Sequence, residues 1–108
     1  MTRRKPYNIH IAGTAKIDLA EIWNYFFDES SESVATELIA HIEERFQQAA
    51  LFPFSGAPRP HLAPGMRVLF HEKYAIYYLP GEEEIVIVRV LHGARDLTAI
   101  VEEGGFTL

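Results

Sequence analysis

The chain has 108 residues, of which 48% are apolar, enough for one hydrophobic core and not for two. It contains no cysteine, so disulfides and thiolate metal sites are excluded. Its 15 acidic against 10 basic side chains, net −5 at neutral pH, argue against generic nucleic-acid binding, which draws its affinity from lysine and arginine.

Residues 1–6 read as a short basic arm, either a solvated terminus or a contact for phosphate. Arg3-Arg4-Lys5 is followed by Pro6-Tyr7-Asn8-Ile9-His10 and not by a continuous apolar stretch, so no signal peptide is expected. The longest apolar run is too short to cross a bilayer. These features predict a soluble, cytoplasmic protein with no membrane partner.

Tyr7 to Ile11 alternates apolar and polar residues, which predicts a half-buried strand closed by Gly13. Thr14 is placed to cap a helix running to about Asp28. Ala15, Leu19, Ile22 and Phe26 share one face of it. Asp18 and Glu21 lie toward its start, where acids suit the helix dipole. Trp23 and Phe27 fall beside the stripe; they either widen it or stay exposed for a partner. The polar run Asp28 to Ser33 predicts a turn, with Ser31 or Ser33 as the next cap. A second helix to about Leu51 buries Ala35, Leu38, Ile39, Ile42, Phe46 and Ala49. So short a turn makes the two helices an antiparallel hairpin. His41 edges the second stripe, but no histidine lies three or four positions away to share a metal.

Pro53 ends that helix. The stretch from Phe52 to Gly65 holds Pro53, Pro58, Pro60 and Pro64, a density that predicts a stiff connector without regular structure. Met66 to His71 reads as a strand, Glu72-Lys73 as a tight turn and Tyr74 to Leu79 as the next strand. After a turn at residues 80–84, Ile85 to Leu91 is apolar apart from Arg89. Such a run fits a strand buried on both faces and central in its sheet. Arg89 then needs a partner or a cleft, because an unpaired buried guanidinium is costly. His92-Gly93 breaks this strand, and Leu97 to Glu102 is expected to add one or two helical turns capped by Asp96. Residues 103–108 read as a loose tail. The order is β-α-α-β-β-β, an α+β domain with a helical hairpin on one face of a small, twisted, mainly antiparallel sheet. The other sheet face is expected to stay partly open.

Arg67, Lys73, Arg89, His92, Arg95 and Asp96 are expected near the open face or the end of the last strand, with Tyr74, Tyr77 and Tyr78 nearby. Arginine and tyrosine can orient a phosphodiester, and histidine can act as general acid or base, the ingredients of a metal-independent ribonuclease. The same residues suit a packed sheet, with Arg89 and Arg95 bracing the strand end against acids. No phosphate loop, dinucleotide fingerprint, zinc spacing or serine elbow occurs, so no cofactor or metal is expected.

The chain resembles the ParE/RelE superfamily of bacterial toxin–antitoxin toxins over residues 7–100, and its ParE branch in particular. The resemblance rests on Ala15…Asp18-Leu19…Ile22…Tyr25, Ala35…Ile39…Ile42 and Leu51-Phe52-Pro53…Gly56…Arg59. It continues through Pro64-Gly65-Met66-Arg67, Tyr74-Ala75-Ile76-Tyr77-Tyr78 and Ile87…Arg89-Val90-Leu91-His92-Gly93-Ala94-Arg95-Asp96. RelE-like members cut messenger RNA on the ribosome, whereas ParE-like members are reported to poison DNA gyrase. Arg95 falls on one arginine of the RelE set, and Arg67 could stand in for a basic residue. Ala75 and Val101 stand where a second arginine and a tyrosine would be. The resemblance therefore implies a ParE-like toxin that inhibits gyrase by protein–protein contact. A ParD-like antitoxin would neutralise it in a hetero-oligomer, with DNA reached only through that antitoxin. A ribosome-dependent endonuclease of RelE type is the alternative. Arg67, Tyr74, Arg89, His92 and Arg95 are the candidate contacts to target or antitoxin.

Overall fold

The computed structural model describes residues 5–93. In chain order the elements are β1 (Asn8–Ile11), α1 (Gly13–Glu29), α2 (Glu32–Leu51), β2 (Ala57–Pro58), β3 (Arg67–His71), β4 (Tyr74–Pro80) and β5 (Glu84–His92). The strands lie in the order β1-β5-β4-β3-β2. β1 runs parallel to β5, and every other neighbouring pair is antiparallel. This is the expected α+β arrangement with one strand more. Ala57-Pro58, inside the proline-rich stretch, pairs with Val68 and Arg67. Proline is tolerated there because β2 is an edge strand. The apolar run of β5 is interior, between β1 and β4, while β4 is the middle strand.

Ser31 caps α2 by accepting from the Val34 N–H at 3.2 Å. Thr14 does not cap α1: the capping position is Ala12, with no side-chain bond, and Gly13 opens the helix. Thr14 Oγ1 instead donates to Val88 O at 2.7 Å. The hairpin stripes meet one sheet face, where Ala15, Ile42, Phe46 and Ala49 pack with Ile76, Tyr78, Ile85 and Ile87. Complete burial of each large aliphatic side chain here contributes about 1.5–3 kcal/mol. Trp23 is half-buried and Phe27 exposed, stacked with ring centroids 5.0 Å apart. The indole N–H also donates to Thr36 Oγ1 across the hairpin at 3.3 Å.

The opposite sheet face is not left open. Met66, Val68, Ala75, Tyr77, Val88 and Leu91 form a second buried cluster, with Leu62 and Ala63 of the proline-rich loop packed on it. That loop is pinned from both sides. The buried Tyr78 hydroxyl donates to Pro53 O and accepts from Gly56 N–H, each at 2.9 Å. Prolines stiffen the segment, and these bonds fix where it lies.

Candidate functional site

β1 stops at Ile11 while β5 continues to His92. The last ladder bond on that side runs from Ala12 N–H to Ile87 O at 2.9 Å. Beyond it the β5 backbone would face α1 unpaired, and buried backbone polar groups need partners. Thr14 and Asp18, one helical turn apart on α1, supply them. Thr14 takes Val88 O, and Asp18 Oδ2 accepts from Val90 N–H at 2.9 Å. A register irregularity brings Val88 and Arg89 opposite Tyr77, so the ladder resumes with Val90 facing the helix side.

Asp18 also holds the arginine of the apolar run. Arg89 Nε donates to Oδ2 at 2.8 Å and Nη2 to Oδ1 at 2.9 Å, a two-pronged pair. The Asp18 side chain is 7% exposed and that of Arg89 12%. The carboxylate expected to serve the helix dipole thus belongs to the strand.

This pair forms one wall of a groove of about 830 Å³ between the hairpin and the end of the sheet. Ile22, Tyr25 and Phe26 of α1 and Val34 and Leu38 of α2 give it an apolar side. Tyr74, Val90, Leu91 and His92 close it from the sheet, and Glu21, Glu72 and Lys73 add polar groups. Tyr25 and Val34 are exposed, so the apolar side is open to an incoming partner. Tyr74 and His92 pair across β4 and β5, and their rings meet edge to face with centroids 5.3 Å apart. The His92 Nδ1 is buried with no hydrogen-bond partner among the described residues.

Of the five expected contact residues, Tyr74, Arg89 and His92 come together in this groove. Arg67 does not. Its Nη1 donates to Phe54 O at 2.9 Å and Gly56 O at 2.8 Å, and its guanidinium lies 5.1 Å from the Phe54 ring centroid. It braces the proline-rich loop. Arg95 lies outside the described residues, as do Asp96, Val101, the expected helical turns at 97–102 and the tail. Ala75 is buried in the opposite-face cluster. Asp18 and the apolar groove residues were not among the expected contacts. The signal for Asp18 is an acid four residues before Ile22, on the apolar stripe of α1.

No described helix is long and apolar enough to cross a membrane. Among the described residues no group of three or more histidine, aspartate or glutamate side chains is placed to hold a metal ion.

The family model for the ParE toxin of the type II toxin–antitoxin system parDE matches residues 9–97. Toxin ParE3 of Caulobacter vibrioides is 29% identical over 82 residues, covering 76% of this chain and 82% of that protein. Toxin ParE1 of Mycobacterium tuberculosis is 28% identical over 88 residues, covering 81% and 90%. A chain from a chromosomal ParDE system of P. aeruginosa superposes with a TM-score of 0.70 at 22% identity, covering 81% of this chain and 96% of the other. A chain of the toxin–antitoxin complex RelBE2 from Mycobacterium tuberculosis does so with a TM-score of 0.65 at 21% identity, covering 87% and 99%.

Proposed function

The chain belongs to the ParE family of type II toxins, and we propose that it arrests growth by binding DNA gyrase in the bacterial cytoplasm, without cutting nucleic acid. In this reading a ParD-like antitoxin neutralises it by laying an otherwise disordered segment into the groove. The observation that carries the proposal is the state of Arg89. Both oxygens of Asp18 hold it, so the guanidinium braces the groove wall. Arg67 is likewise committed to loop carbonyls. Ala75 offers no charge where the nuclease branch carries an arginine, and loss of one such donor commonly costs about a hundredfold or more. What the groove does offer is exposed apolar surface from both helices, which suits an amphipathic segment.

Two measurements on the purified toxin test this. Gyrase supercoiling should fall with added toxin while ribosome-bound messenger stays intact. The antitoxin should bind the parent tightly and bind Val34→Glu at least about tenfold more weakly, since a charge in an apolar contact is poorly tolerated. Unimpaired supercoiling with codon-positioned cleavage would establish the nuclease alternative. That alternative keeps one observation in its favour, the juxtaposed imidazole of His92 and phenol of Tyr74.

A further inference from the structure

We propose that His41 and His71 together bind one divalent transition-metal ion, with zinc as the test case, and so clamp α2 to the β3–β4 turn. His41 is exposed on α2, and His71 is the last residue of β3. The two rings are tilted by 39° with centroids 5.6 Å apart. Neutral imidazole is the commonest protein ligand for such ions. Two imidazoles at metal–nitrogen distances of about 2.0–2.1 Å around a tetrahedral ion have ring centres roughly 5 Å apart. A small swing of the exposed His41 side chain closes the difference. The sequence hides this pairing, because the two histidines lie on different elements and share no local motif.

Two protein ligands leave the remaining positions to water, so the ion is exchangeable and not a closed structural centre. Its place gives it a consequence. Leu38, one turn before His41, lines the groove, and so do Glu72 and Lys73, which follow His71 directly. An ion here ties together two groove walls that the chain joins only through a long excursion. The inference concerns the toxin alone and stands whatever the target of the groove proves to be.

Calorimetric titration of zinc chloride into the whole chain tests it. The expected result is one ion per chain. His41→Ala and His71→Ala should each weaken binding by more than the roughly 10–100-fold lost when only an outer-shell partner is removed. His10→Ala and His61→Ala, at exposed positions elsewhere, should leave it unchanged. Zinc should raise the thermal midpoint of the parent and of neither clamp variant. Should an alanine variant misfold, glutamine at the same position keeps a polar side chain there. One-ion binding that survives either clamp substitution overturns the proposal, and so does absence of binding to the parent at about tenfold excess zinc.

Discussion

Asp18 answers three donors at once: two from the Arg89 guanidinium and the N–H of Val90. Removing it leaves a buried cation and a buried backbone donor without that partner. Asp18→Ala should therefore lose about 3–5 kcal/mol of stability. Asp18→Asn, which keeps an acceptor for Val90 and loses the charge, should fall between, as urea unfolding of the pair would show. Arg89 alone was half legible. A lone arginine in an apolar run demands a partner, but nothing local names one, since Asp18 lies 71 positions away. A second residue carries a pH signature. Burial in the opposite-face cluster raises the Tyr77 phenol above its ordinary 10.0, outweighing the opposing Arg59 charge. Above pH 10 the unfolded chain gives up this proton first, while the folded chain still holds it. The stability tied to Tyr77 is thus whole below that value and shrinks as pH climbs toward the folded one. Unfolding measured from about pH 9 to about pH 11.5 should show a shallower alkaline decline in Tyr77→Phe than in the parent.

The two helices and four of the strands follow from hydrophobic patterning, because each buries apolar residues at its own period or as a continuous run. β2 does not. It is two residues long, one of them proline, and it exists because β3 and the loop anchors hold it at an edge. The loop is legible as stiff, but its attachment is not, because Tyr78 reads from sequence as one more aromatic in a strand. Its ring and hydroxyl leave no room for a side chain at Gly56. A Cβ there would come within 2.6 Å of Tyr78 Oη and 2.9 Å of Val68 O. Tyr78 is fully buried and cannot swing away. Gly56→Ala should lower the urea midpoint, at a cost of about 1–3 kcal/mol for overpacking. Gly13 serves as the control: a Cβ added there would meet nothing within 4 Å, so Gly13→Ala should leave packing undisturbed.

At the scale of the whole molecule the groove belongs to no single segment. Its apolar side comes from α1 and α2, its end from β4 and β5, and it exists only after the hairpin docks on the sheet. Residue types in the sequence point to a polar cluster near the end of β5, and three of its members do meet there. The apolar side was illegible, because Ile22, Phe26 and Leu38 read equally well as ordinary core. They are partly buried against the core and partly groove wall. The antiparallel strand order could be read from short turns. The parallel docking of β1 beside β5 could not, since it joins the two ends of the fold across most of the chain.

Thr14 and Asp18, by completing the β5 ladder from a helix, do more than steady α1. A bare row of backbone donors and acceptors invites a foreign chain to zip along it. Here that row is already occupied by side chains that cannot themselves pass the pattern on, so growth of the ladder stops within the molecule. A variant that frees Val90 thereby gains a sticky flank as well as a weaker fold, and its loss from solution would reflect self-association together with unfolding.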